Sequence, residues 1–415
     1  MKRIVAIALA LVFIFSLAAC TGGGTGTDTA GTSSPGGGDS GASSPSGGDS
    51  GTSSPGGGDA ADGPGYTEGL PWRIEKLPSK VKLEIGGLVA GPHVLPSYIA
   101  QQKGWLDEVG IEIEFHMFPN GPAMSEALGA NVWDCGTLGI GGVITGIVGF
   151  DAIILGLSTN DQGTHRTFVR PDHPIALAGK GHLPGYPEVY GTADAWRGAE
   201  IMLPSGTTAH FIMAKTLEQF GLTMDDVNLV SMDVTSGNTA FKAGQGDVVS
   251  LWGNFIFTED KDDFVVATGG REIDIETCGS LIANPVSLAG PKREAIVKWL
   301  EVYFMTVEWI IDNLEEATQY FVEHSEYEGI IANYDETLTL MRANGFHTME
   351  ANVEAFNLRV QDGRMSRQEE YIYKPLLFFV EQGNYEPFTL DKLLEGYFPP
   401  EYVMEAYENQ MRARQ

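Results

Sequence analysis

Residues 81–118 read VKLEIGGLVAGPHVLPSYIAQQKGWLDEVGIEIEFHMF. The two ends of this stretch, 81–89 and 111–118, alternate apolar and polar side chains, the period of a half-buried strand. Between them Pro96 opens a helix at its first turn, where the missing N–H costs nothing. Tyr98, Ile99 and Trp105 anchor that helix, and Gly104 and Gly110 break it. Strand, helix and strand in this succession make a βαβ unit, which predicts an α/β layer around a mostly parallel sheet.

The same grammar continues downstream. Pro119-Asn120-Gly121-Pro122 is a turn. A short helix follows at 123–128. VWDCGTLGIGG (132–142) is a short strand running into a glycine-rich turn, with a helix from about 142. DAIILGLS (151–158) is another strand. Each strand ends in a loop of small residues, and ligands of open α/β sheets bind at those ends. Around THRTFVRPDHP (164–174) the chain changes character and then crosses a glycine-rich loop at 179–191. It resumes as a second α/β unit with strands expected at 201–203, 227–232 and 247–251. From about 279 the pattern reads as helical to the end. It covers 292–324, then segments near 335–343, 350–360, 367–381 and 401–412.

The first sixty-five residues are of another kind. Lys2 and Arg3 precede an apolar run of about a dozen residues, too short to span a membrane core of roughly 30 Å but right for an export signal. LAAC, ending at Cys20, resembles the lipobox of bacterial lipoproteins. That resemblance implies removal of residues 1–19 and lipidation of Cys20, with several acyl chains giving stable anchoring. Residues 31–60 repeat one ten-residue unit, GTSSPGGGDS, GASSPSGGDS, GTSSPGGGDA. With nothing larger than alanine to bury, 20–65 are expected to form a disordered tether spanning roughly 35–40 Å.

Composition limits the partners. The chain has 26 Lys+Arg against 55 Asp+Glu, a formal net charge of −29, and loss of Lys2 and Arg3 would make it more acidic. Such a surface does not suit nucleic acid or anionic lipid. A local anion site remains compatible with it, because helix ends act against the global field. Beyond the anchor only Cys135 and Cys278 remain, free to pair outside the cytoplasm or to pack as small apolar residues. No metal site with characteristic spacing is present, and nothing points to a cofactor.

Candidate site residues follow from the loops. In LPSGTTAHFIMAKTLEQFG (203–221), Ser205, Thr207 and Thr208 bring hydroxyls to a helix start whose unpaired N–H groups favour negative charge. The same residues could be an ordinary cap. His210 could face a ligand or pack inward. Trp252, in LWGNFIF (251–257), ends a strand that should face the crevice; it could equally be core. His93, Asn120 with Gly121, Thr137 and Asn160 end or follow the first four strands, with Asp161 next to Asn160. His165, Arg166 and Arg170 lie near the passage between units, where an arginine fork would suit a carboxylate or sulfonate. No nucleophile–base set stands out.

YIAQQKGWLDEVGIEIEF, EALGANVWDCG, LPSGTTAHFIMAKTLEQFGL and AFKAGQGDVVSLWG, in this order and spacing, resemble the solute-binding proteins of ABC importers. The resemblance is to the nitrate, sulfonate, taurine and pyrimidine-precursor class, and it covers about residues 80–325. It implies a two-lobe periplasmic-binding-protein-like fold of type II topology. Each lobe would hold a mixed, mostly parallel sheet with flanking helices, and a helical C-terminal region would follow. Lobe 1 would comprise 66–168 with 276–415, and lobe 2 would comprise 169–275, with crossovers near 165–175 and 272–280. It implies a non-enzymatic, monomeric protein that captures a small anionic or zwitterionic ligand between the lobes and delivers it to a membrane permease. It assigns Thr207, Thr208 and His210 to the helix start facing the ligand, Trp252 to a cleft aromatic, and Asn120 and Gly121 to the loop after the second strand. The alternatives are a lipid-anchored enzyme or a ligand-sensing surface protein on the same fold.

Overall fold

The computed structural model describes residues 65–257, 263–387, 392–393 and 396–414. The expected signal, Cys20 and the tether lie outside the described residues. In chain order the main strands are β1 (Val81–Leu88), β2 (Ile111–Phe118), β3 (Cys135–Leu138), β4 (Ile153–Asn160) and β5 (His165–Val169), then β6 (Glu200–Leu203), β7 (Asn228–Ser231), β8 (Val248–Trp252), β9 (Val265–Gly269) and β10 (Cys278–Ala283). They form two five-stranded sheets, ordered β2-β1-β3-β10-β4 and β7-β6-β8-β5-β9.

The quoted βαβ unit lies in the first sheet. β1 pairs in parallel with β2 along its whole length and with β3 through Ile85 and Gly86. β10 runs antiparallel between β3 and β4. In the second sheet β6 is parallel to β7 and β8, and β5 runs antiparallel between β8 and β9. Each sheet is therefore mixed, with a single reversed strand.

Both reversed strands escape the periodicity. HRTFV at 165–169 reads as a crossover, yet it is a strand of the second sheet. The passage out of the first sheet is thus 161–164, and 165–168 stand with the second sheet rather than with lobe 1. CGSLIA at 278–283 falls where the pattern reads as helical, yet it is β10. All six of its residues are buried, and a strand flanked on both sides shows no alternation. The return passage is 270–277.

Helices cover the sheets. Leu95–Gln102, with Pro96 in its first turn, packs on the long helix Arg293–Asp312. Trp299, Tyr303 and Phe304 of that helix are fully buried. Trp299 Nε1 donates to Ser97 Oγ at 3.0 Å and Tyr303 Oη donates to the His93 carbonyl at 3.1 Å, fixing the loop after β1. The expected helix at 292–324 is two, the second being Leu314–Tyr327, with Asn313 at the joint. Tyr334–Ala343, Met349–Asn357, Arg367–Glu381 and Glu401–Ala413 match the remaining expectations. Phe378 and Phe379 of Arg367–Glu381 meet His210 and Phe211 edge to face, so the helical region also touches the second lobe. No helix among the described residues is long and apolar enough to cross a membrane.

Candidate functional site

The strand ends of the two sheets face each other across a narrow, nearly closed cleft with a cavity volume of about 30 Å³. Helix starts from both sides meet there. Gly121–Gly129 is capped by Asn120, whose side chain accepts from Ala123 N–H at 3.0 Å. Ile140–Phe150 has Gly139 as its cap residue and no side-chain cap. Thr208–Gln219 begins after Thr207, whose hydroxyl accepts from His210 N–H at 3.5 Å and donates to the Pro204 carbonyl at 2.7 Å. First-turn N–H groups have no partner within their own helix, and the helix dipole adds positive potential there.

The lobes touch at these starts. A Cβ on Gly141 would lie 2.2 Å from the Gly206 carbonyl oxygen and 2.5 Å from Thr207 Cα. A Cβ on Gly139 would lie 2.9 Å from the Thr208 hydroxyl. These glycines let two backbones approach as no side chain would.

The first lobe's wall is a buried polar cluster that reaches His165 at the start of β5 in the second sheet. Asp161 is fully buried. Its Oδ1 accepts from Thr159 Oγ1 at 2.7 Å, while Oδ2 has no hydrogen-bond partner. His93, nearly buried, pairs its Nδ1 with Thr159 Oγ1 at 2.9 Å and holds Nε2 3.7 Å from Asp161 Oδ2. Thr164 Oγ1 donates to the Asp161 carbonyl at 2.9 Å and meets His165 Nδ1 at 2.8 Å. Burial pulls the His165 pKa down to about 4 against the opposing pull of Asp161, so this imidazole is neutral near pH 7.

The second lobe's wall is neutral. Trp252 stands beside His165 across the β5–β8 pair, with ring centroids 5.9 Å apart. Its Nε1 donates to the Val89 carbonyl of the first lobe at 3.4 Å. Asn254 N–H reaches the Ala90 carbonyl at 3.3 Å. Ala90 itself has φ +63°, and its N–H donates to Glu328 Oε2 at 3.0 Å.

The structure therefore brings His93, Gly121, Thr207, Thr208 and Trp252 to the cleft. Asn120 uses its side chain as a helix cap. Asn160 turns its side-chain oxygen to Gln162 N–H at 3.0 Å. Thr137 is buried on β3 with its hydroxyl unpartnered. His210 points away from the opening: its Nδ1 accepts from Gly206 N–H at 3.1 Å, and burial lowers its pKa. Arg170 is no ligand fork. Its guanidinium donates to the carbonyls of Phe241, Gln245 and Gly246 and lies over the Phe241 ring, ending the helix Val234–Lys242.

Thr164 and Gly253 join the cleft without any local signal. Only the 161–164 passage and the tight approach of the lobes place them there. Cys135 and Cys278 are both free and buried. β10 sets Ala283, not Cys278, opposite Cys135, so the thiols stand at different ends of the strand. Pairing of β1 with β2 also gathers Glu84, Glu114 and His116, three groups with metal-ligand atoms within 4.8 Å. Sequence spacing cannot show such a cross-strand set. Lys82, 3.0 Å from Glu84 and also paired with Glu114, already offsets one of its two carboxylate charges.

No protein-family model matches the chain. A protein of Brachyspira hyodysenteriae, named as an ABC transporter periplasmic binding protein, is 30% identical over 199 residues, 48% of this chain and 57% of the relative. A Bacillus subtilis protein, named as an aliphatic sulfonates-binding protein, is 26% identical over 233 residues, 54% and 65% of the two. The chain thus spans less than two thirds of either relative. Among solved structures, the alkanesulfonate-binding protein of Xanthomonas axonopodis pv. citri bound to MOPS aligns with a TM-score of 0.55 at 16% identity, covering 80% of this chain and 99% of that one. The periplasmic nitrate-binding protein of Synechocystis PCC 6803 aligns with a TM-score of 0.60 at 12% identity, covering 79% and 89%. At these identities the structural matches speak for the shared bilobed fold.

Proposed function

We propose that this chain, a member of the sulfonate/nitrate-binding family of ABC-importer solute-binding proteins, captures a small ligand between its lobes outside the cytoplasm and delivers it to a membrane permease. It performs no chemistry itself. The observation that carries the reading is the cleft: walls from two separate sheets, helix starts from both, and glycines that let the walls meet. A ligand that bridges both walls stabilises the closed arrangement by its differential affinity. The passages 161–164 and 270–277 serve as hinges between the two lobes.

In this reading an anionic or zwitterionic ligand sets its negative group against the starts of Thr208–Gln219 and Ile140–Phe150, near the Thr208 hydroxyl. Trp252 covers its apolar face. Lipidation at Cys20 and the 20–65 segment hold the body near its permease and raise its effective concentration there. The protein acts as a monomer and needs no cofactor.

The test is calorimetric titration of the intact chain with nitrate, alkanesulfonates, aminosulfonates, amino acids and pyrimidines. At least one class should bind, and Thr208→Ala and Trp252→Ala should each weaken it by about tenfold or more. A ligand whose affinity ignores both substitutions would remove the site from the cleft.

A further inference from the structure

The start of Thr208–Gln219 brings backbone of the second lobe against the first, yet its cap is slack. Thr207 gives its hydroxyl hydrogen to the Pro204 carbonyl at 2.7 Å and accepts from His210 N–H only at 3.5 Å, long for a bond of this kind. The residue before the cap is Gly206, whose φ is +71° and whose carbonyl oxygen faces Gly141 across the cleft. A glycine has other conformations open to it, so something besides the cap must hold this turn.

His210 does so. As the third residue of the helix it stands where a capping box places the side chain that reaches back to the cap residue's N–H. Its Nδ1 reaches one residue further and accepts from Gly206 N–H at 3.1 Å. A backbone N–H can only donate, so this contact needs an imidazole that is unprotonated at Nδ1. The ring is seated in turn by the C-terminal helical region. Phe378 and Phe379 of Arg367–Glu381 stand edge to face with it, their centroids 6.4 and 5.8 Å away. Thr207 and Thr208 line the cleft, whereas His210 lies behind them.

The surroundings favour the neutral ring. Burial lowers the His210 pKa, and no charged neighbour contributes. On its own helix Lys215 pairs with Glu218 and lies over the Phe378 ring, 5.5 Å from the centroid. On Arg367–Glu381, Lys374 pairs with Glu370, and Glu381 is exposed. Pro204, Ser205 and Gly206 carry no charge, nor does any side chain of the facing helix Ile140–Phe150.

Resting on the capture reading above, we propose that His210 is a positioning residue: its neutral imidazole, seated on Phe378 and Phe379, holds the Gly206 turn in the shape that presents Thr207 and Thr208 to the ligand. It touches no ligand itself. A proton on Nδ1 would set a donor against the Gly206 N–H, so acidification releases the turn and weakens binding. Because the folded pKa lies below the ordinary histidine value, the hold is intact at neutral pH and is lost as pH falls through that lowered value.

Two variants of the intact chain separate the acceptor from the ring. His210→Asn keeps an oxygen acceptor near the Nδ1 position but cannot titrate. His210→Phe keeps an aromatic ring for Phe378 and Phe379 but has no acceptor. Amide exchange followed by NMR reads the Gly206 N–H directly and needs no ligand. In the parent this amide should be protected at neutral pH and lose its protection in step with titration of the His210 ring. In His210→Phe it should exchange about fivefold or more faster, and in His210→Asn it should stay protected on acidification. Calorimetry with nitrate, ethanesulfonate and 2-aminoethanesulfonate reads the consequence. A compound that binds the parent at neutral pH should bind His210→Phe about fivefold or more weakly and His210→Asn about as well. Parent affinity should then fall relative to His210→Asn as His210 titrates. A Gly206 amide still protected in His210→Phe, a parent amide indifferent to the His210 titration, or equal binding by all three proteins overturns the proposal and leaves the capture reading standing. Failure of all three compounds to bind counts against the capture reading for these compounds, and the amide exchange still decides whether His210 holds the turn. If His210→Phe does not fold, the parent's own titration carries the test.

Discussion

The two sheets share one plan, three forward strands, then a reversed strand, then a fourth forward strand, yet their cleft walls differ. The first wall holds the buried Asp161 beside His93 and Thr164, with the starts of Gly121–Gly129 and Ile140–Phe150. The second offers the start of Thr208–Gln219 with the Thr208 hydroxyl, the neutral His165 and the indole of Trp252. The difference starts in how the chain passes between sheets. Residues 161–164 leave β4 at its cleft end, so the first passage itself carries Asp161 and Thr164 into the wall. A wall made from a passage can hold a charge where strand pairing would forbid it, and the opposite wall can stay neutral and act by shape.

The sharpest way to break that division of labour is to hold the walls apart. Gly141 lies inside the helix Ile140–Phe150, so alanine fits its backbone and should stabilise the helix by roughly 0.5–1 kcal/mol. Across the cleft, however, its Cβ would stand 2.2 Å from a backbone oxygen that cannot give way cheaply. Gly141→Ala should therefore keep or raise the melting temperature of the ligand-free protein. It should weaken binding by about 1000-fold, roughly 4 kcal/mol, as read by calorimetry. Parent-like affinity would mean that the walls do not need to meet.

The second test concerns the charge that supports the first wall from behind. Glu328 is buried and accepts from Ala90 N–H, holding the loop on which Trp252 docks. Burial pushes its pKa up to about 7. A carboxyl with a raised folded pKa contributes stability below its unfolded value near 4.5 and loses it as pH rises through about 7. Relative to Glu328→Gln, the parent should thus lose about 3 kcal/mol of unfolding free energy between pH 4 and pH 8, measurable by urea titration at each pH. His324, 3.6 Å away, moves the other way. Burial lowers its pKa to about 4, so its contribution is lost as pH falls from about 6.5 to 4. Because it is present in both proteins, the difference isolates Glu328. A flat difference across the range would show that Glu328 titrates as an exposed carboxylate.

The same asymmetry explains what could be read from residues alone. β1, β2 and β6, the helix after Thr207 and the C-terminal helices were legible because each shows a single period or a cap. β5 and β10 were not. Each is the reversed strand of its sheet, buried between neighbours that arrive from distant parts of the chain, and such a strand carries no alternation to find. The site divides in the same way. Thr207, Thr208 and Trp252 sit where a strand ends or a helix starts, which sequence marks. The role of Asp161 depends on Thr159 and His93 folding around it, and His93 is held by Tyr303, 210 residues away along the chain. Arg170 misled because a guanidinium suits an anion or a helix end equally well, and only the fold shows the three carbonyls it reaches.

The smallest effect sharpens the picture of the second wall. Trp252 is nearly buried, and its indole N–H makes a 3.4 Å contact to Val89 across the lobes. Trp252→Phe keeps an aromatic face against His165 but removes that donor, leaving the Val89 carbonyl without it. If the wall acts by shape, the loss should be limited to that hydrogen bond: about 1 kcal/mol, or roughly fivefold in affinity. If instead the affinity fell well beyond fivefold, the indole N–H would do more than tie the second wall to Val89 of the first, and the wall would not act by shape alone.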